Sequence, residues 1–228
     1  MVYEASAADP IELVQPRNRQ LASFPQLHDS EFEEACSALL KKFELHANGQ
    51  NEWSAVETVF QSETAFLRIT KPLVSHPVVS DTGNNAEETE LDEEDDEVAQ
   101  TATSIRPVIR YEIGLSPSYR VPVLYFTIAD SQHRYPPTMD TLYSHIIPPT
   151  FRAQAEHVGI IGGITVTVPT NNPVFFIHPC RTAEVMEACV SGRIPTASDY
   201  LLIWIGAMGK CVGLNVPVRL VNSGLRHD

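Results

Sequence analysis

The chain has 228 residues, 43% hydrophobic and 20% charged, which is the composition of an ordinary soluble protein with one or two domains and room for a core. Its formal net charge is -13; nine acidic residues fall between Glu87 and Glu97, and without them the charge is about -4. No basic cluster or aromatic-basic stripe points to nucleic acid; the negative sign argues against adhesion to anionic membranes, and the most apolar segment, Tyr200 to Met208, is too short for stable membrane insertion.

Residues 1–27 contain Pro10, Pro16 and Pro25, show no periodicity, and lack the basic start and apolar stretch of a secretory leader. A loose tail is expected there, with Arg17 and Arg19 free to meet a partner. Asp29 or Ser30 then offers a cap to a helix of about 15 residues. Phe32, Cys36, Leu39, Leu40 and Phe43 form its apolar stripe, with Cys36 packed in it. Trp53 to Phe60 and Thr64 to Thr70 are rich in β-branched and aromatic residues and read as a hairpin. Between 75 and 103 the pattern breaks. The acidic, Gly/Asn-containing run there buries too little apolar surface to offset its ordering entropy, so an insertion at 80–103 is expected to be disordered.

Ser104 to Leu115 and Tyr119 to Ile128 form the next strand pair, turning at Ser116-Pro117-Ser118. Pro107 and Pro122 point to edge positions or bulges. A short helical piece follows around Asp140 to Ile147. Residues 159–168 read as a glycine-rich turn running into an extended segment; the glycines lack a dinucleotide-binding arrangement. Val174 to Ile177 is apolar and extended. Thr182 and Asp199 are placed to cap two late helices, one to about Ser191 and one to about Gly209. A helix, then strands, then helices indicate an α+β domain over 28–222: an antiparallel sheet flanked by helices.

The four cysteines (Cys36, Cys180, Cys189, Cys211) form no Cys-x-x-Cys pair and no zinc-ligand set, so free thiols in a reducing compartment are expected. Cys189 and Cys211 stand in apolar contexts and read as structural. Cys180 is different. A thiol that takes and gives an acyl group must be reachable and partly ionised. Pro179 cannot join a sheet ladder, so the chain leaves the sheet there. The helix that follows points its positive end at the sulfur, and Arg181 adds charge. His178 has three open roles: thiolate support, proton transfer, or orientation of the loop. Asn171 and Asn172 are candidate oxyanion donors or simply a turn. The residues alone leave open whether Cys180 is a nucleophile or an ordinary buried thiol.

Phe175-Phe176-Ile177-His178-Pro179-Cys180 resembles the signature of the autophagy conjugating enzymes. Three further blocks resemble the branch that joins a ubiquitin-like autophagy modifier to its acceptor protein. They are Tyr119-Arg120-Val121-Pro122-Val123-Leu124-Tyr125-Phe126, Tyr200 with Trp204, and Val212-Gly213-Leu214-Asn215-Val216-Pro217. The resemblance covers about 29 to 220. It implies a ubiquitin-conjugating-enzyme-like core and a cytoplasmic transferase without metal or organic cofactor. Cys180 would receive the modifier as a thioester from an activating enzyme and pass it to an acceptor lysine, with His178 in possible support. The strand from Tyr119 to Phe126 would lie on the acceptor-facing sheet. One departure stands out: where the family tends to carry an acidic-His-Pro triplet, this chain reads Thr167-Val168-Pro169. Other readings kept open are the lipid-conjugating sister activity, an inert binding module, and a cysteine hydrolase drawing on His133, His145 or His157.

Overall fold

A computed structural model describes residues 20–61, 64–74, 106–153, 155, 161–167 and 171–222. The expected tail up to residue 19, with Arg17 and Arg19, and the acidic insertion at 80–103 lie outside the described residues. Residues 20–27 are packed. Leu21 and Leu27 are buried, the Tyr200 hydroxyl donates to the Pro25 carbonyl at 2.7 Å, and Leu27 N donates to the Arg120 carbonyl at 2.7 Å. Packing therefore begins before the expected boundary at residue 28.

Helix α1 runs Asp29–His46. Its start is held by Glu31, whose carboxylate accepts from the N–H groups of His28 (2.8 Å) and Ala22 (2.9 Å). Asp29, expected as the cap, instead pairs with Arg120 at 3.1 Å. Phe32, Ala35, Cys36 and Leu39 are its buried face, at the three- and four-residue spacing of an amphipathic helix.

Six antiparallel strands follow: β1 Ala55–Gln61, β2 Thr64–Pro72, β3 Val108–Leu115, β4 Pro122–Ala129, β5 Ile161–Val166 and β6 Pro173–Ile177. Their order is β1-β2-β3-β4-β6-β5, so the chain makes a four-strand meander and then adds the last two strands in reverse order. This is the α+β arrangement expected from the sequence. Strand alternation sends Leu67, Ile69, Tyr111, Ile113, Leu124, Phe126, Phe175 and Ile177 to one face, all buried at 0–1% exposure. The opposite face carries the register-matched row Glu57, Arg68, Glu112, Tyr125 and Phe176. There Arg68 bridges Glu57 (3.2 Å) and Glu112 (2.7 Å).

Two expectations change. β3 and β4 are central strands, so Pro107 and Pro122 mark neither edges nor bulges. Pro107 precedes β3 and Pro122 opens β4, where no ladder N–H is lost to the interior of the strand. Gly162 and Gly163 form no turn; they lie inside β5 as a bulge opposite Phe176. Gly163 has φ +96, and a Cβ on Gly162 would stand 2.4 Å from the Phe176 ring.

The buried face is covered by α1 and by the late helices α2 (Thr182–Cys189), α3 (Ala197–Trp204) and α4 (Val218–Asn222). Met186, Tyr200, Leu201, Trp204 and Leu220 are buried there. Thr196 rather than Asp199 precedes the first residue of α3; Asp199 accepts from the Thr196 hydroxyl (3.1 Å) and from Lys42 (3.1 Å). The block Val212 to Asn215 is non-helical after Val212, and three long side chains satisfy its carbonyls. Tyr111 donates to Val212 (2.8 Å), Lys71 to Gly213 (2.7 Å) and the Trp53 indole to Asn215 (2.9 Å). Buried carbonyls left unpaired would each cost about 1–3 kcal/mol. Burial pushes the Tyr111 hydroxyl well above its ordinary range and lowers Lys71.

Candidate functional site

β6 ends at Ile177, and the chain then makes one short helical turn, Pro179–Arg181, before α2. Pro179 is buried and Cys180 is exposed. The turn is capped by His178, whose Nδ1 accepts from Cys180 N at 3.2 Å. Thr182, expected to cap the helix, is buried with an unpartnered hydroxyl oxygen among the described residues. The cap sits one turn earlier because helical geometry begins at Pro179, where a proline's missing N–H costs nothing.

His178 is half-buried between two rings. Tyr119 meets it edge-to-face at 5.7 Å, and Phe176 stands at 6.2 Å. Phe176 stacks in turn on Tyr125 (6.5 Å), which meets Phe66 at 6.3 Å. An aromatic run thus crosses the sheet face opposite the core and ends beside the Cys180 turn. Burial raises the Tyr125 hydroxyl.

Tyr119 belongs to the β3–β4 turn and not to a strand. Its N–H donates to Ser116 Oγ at 3.2 Å. Arg120 follows with φ 56 and is tied to the start of α1: its side chain donates to the Leu27 carbonyl (3.1 Å) and to both Asp29 carboxylate oxygens (3.2 and 3.1 Å). The Arg120 guanidinium holds the Asp29 carboxyl below the usual carboxylate range. No single side-chain contact of Tyr119 was legible in the sequence. It arises because Leu124 pairs with Ile177, which brings the approach to β4 alongside the exit from β6.

Arg181, expected to add positive charge beside the sulfur, is paired to Glu184 at 3.3 Å, with both side chains exposed. Asn171 and Asn172 are not brought to Cys180. They precede β6, whose five residues span about 17 Å, and Cys180 follows its far end. Asn171 has φ 51 and its N–H donates to the Thr167 carbonyl at 2.9 Å, the geometry of a turn. His133 lies beyond the C-terminal end of β4, on the side of Asn172, and His145 packs edge-on against Tyr135 at 4.9 Å. His157 lies outside the described residues.

All four cysteines are free. Cys36 is buried and its thiol is pushed up to about 12, with desolvation the main cause; burial takes Cys211 to about 11. Cys189, read from sequence as structural, is exposed instead. It ends α2, whereas Cys180 lies in the short turn that precedes it. Among the described residues no group of three or more His, Cys, Asp or Glu stands ready for a metal ion, and no helix is long and apolar enough to cross a membrane.

Residues 31–219 match the family of the autophagocytosis-associated protein, active-site domain. The ubiquitin-like-conjugating enzyme ATG10 of Gibberella zeae is 31% identical over 88% of this chain and 98% of its own length. The human protein of the same name is 31% identical over 59% of this chain and 62% of its own. A crystal structure of the autophagic E2 Atg10 covers 81% of this chain and 97% of its own, with 14% identity and a TM-score of 0.41.

Proposed function

The chain belongs to the autophagocytosis-associated active-site-domain family and is a ubiquitin-like-conjugating enzyme of autophagy, and from that premise we propose that Cys180 is the residue that carries the modifier. As an enzyme of this kind it works with an activating enzyme and a ubiquitin-like modifier. The finer assignment is that the autophagy activating enzyme hands over the modifier in the cytoplasm and that the acceptor is a protein lysine.

The observation that carries the assignment is the exposed, undisulfided thiol at the first turn after β6, with its N–H held by His178. In loading, the Cys180 sulfur attacks the activated carbonyl of the modifier's C-terminal glycine and displaces the activating enzyme's thiolate. In transfer, a neutral lysine amine attacks the thioester carbonyl. The carbon–sulfur bond breaks, an isopeptide bond forms, the amine proton leaves, and the Cys180 thiol is regenerated. His178 supports the turn on which this takes place. We assign the acceptor to the neighbouring sheet surface around Tyr119 to Phe126, since β4 is bonded to β6. The lipid-conjugating alternative is not favoured by the relatives named above.

The test is Cys180→Ser, incubated with the activating enzyme, ATP and the autophagy modifier and read on a non-reducing gel. Wild type is expected to give a thiol-sensitive band and the mutant a thiol-resistant oxyester. Absence of both bands ends the carrier reading and leaves a binding module.

A further inference from the structure

The N–H of Cys180 is committed to Nδ1 of His178 at 3.2 Å. A ring nitrogen that accepts carries no proton, so neutral His178 in this arrangement holds its proton on Nε2. The ring has contacts on two sides, with Tyr119 at 5.7 Å and Phe176 at 6.2 Å. Tyr119 is fixed by a turn anchored through Arg120 to Leu27 and Asp29. On the elements around the ring, Arg120 pairs with Asp29 on the turn side and Arg181 with Glu184 on the helical side, and α2 also carries Glu187. β6 offers the neutral Phe176, and among the described residues the titratable ones in direct contact with His178 are Tyr119 and, through its N–H, Cys180.

From these contacts we infer that His178 is a positioning residue for transfer: its Nδ1 caps the Cys180 turn and aims the sulfur, and it takes no proton from the attacking lysine. The inference rests on Cys180 being the carrier. A proton and the Cys180 N–H compete for one lone pair, so a His178 that accepted a proton at Nδ1 would release the turn it holds. The role requires an acceptor at this reach and no acid–base chemistry. Asparagine supplies one, because its side-chain carbonyl ordinarily accepts from the N–H two residues on. Alanine supplies none.

Wild type, His178→Asn and His178→Ala are loaded with modifier by the activating enzyme and ATP, and single-turnover discharge to the acceptor protein is followed from about pH 7 to about pH 9, where lysine ionisation dominates. All three are expected to form the thiol-sensitive band, with His178→Ala melting no more than a few degrees below the other two. Alanine is expected to slow discharge about tenfold, as for a lost cap, and asparagine to restore it to within about threefold of wild type. Wild type and His178→Asn are expected to share one slope of log rate against pH. The rate of Cys180 alkylation by iodoacetamide, read in the free enzyme, is expected to follow the same order. If asparagine is as slow as alanine, or its pH slope differs from wild type, the positioning role is overturned in favour of proton transfer by the imidazole. Failure of wild type to load overturns the carrier reading, and with it this one; that failure appears before any discharge is measured.

Discussion

At the scale of single residues, exposure and position on a helix separate the four thiols. Cys180 and Cys189 are both exposed, Cys180 in the turn that follows β6 and Cys189 at the end of α2. With substoichiometric iodoacetamide at neutral pH, we expect labelling in the order Cys180, then Cys189, with Cys36 and Cys211 last. Peptide mass mapping reads the order, and a faster Cys189 would count against Cys180 as the reactive thiol. Cys180→Ala is expected to abolish conjugation while moving the melting temperature by no more than a surface substitution does, within about 0.5 kcal/mol. Conjugation by that mutant would show that the nucleophile lies elsewhere. Cys180 and His178 drew attention because strand, proline and helix signals meet at one point in the sequence, but the residues alone did not say whether the thiol reacts. The place of Tyr119 was not legible, since its contact depends on β4 pairing with a strand about fifty residues later. Cys189 was misread for a related reason: apolar neighbours in sequence do not say which side of a short helix faces solvent.

At the scale of elements, the glycine pair in β5 and the block after α3 make opposite demands. Gly162 leaves room for the Phe176 ring, and a Cβ there would meet three ring atoms between 2.4 and 2.9 Å. Gly162→Val is therefore expected to displace Phe176, to cost about 1–3 kcal/mol as overpacking does, and to slow transfer through the ring beside His178. Chemical denaturation and single-turnover discharge check the two parts; wild-type behaviour in both would show that the ring swings aside freely. The Val212 to Asn215 segment depends on donors from three different strands or loops. Tyr111→Phe keeps the packing and removes the 2.8 Å bond to Val212, and about 1–3 kcal/mol of stability is expected to go with it. Helices, strands and most of their limits could be read from periodicity. These cross-element bonds could not, because a buried tyrosine looks the same in sequence whether its hydroxyl is used or idle.

At the scale of the whole molecule, one sheet face is spent on the core and the other carries the aromatic run leading to the Cys180 turn. The antiparallel α+β character followed from the order of elements. The reversed placement of β5 and β6 did not, since no local pattern tells a strand which neighbour it will join. The long acidic segment leaves from β2 and returns to β3, and these strands are paired up to the exit itself: Pro72 lies opposite Val108, and Leu73 N donates to the Pro107 carbonyl at 3.1 Å. Replacing residues 82–100 with a short Gly/Ser linker is expected to leave the melting temperature within a few degrees, on the order of 1 kcal/mol or less. A larger fall would show that the segment contributes packing. Because the sheet closes beneath that junction, the pairing of β2 with β3 is complete without help from whatever joins them. A reporter spliced between residues 82 and 100 is therefore expected to travel with the enzyme while the register of β3, and with it the distance from sheet to sulfur, stays the same.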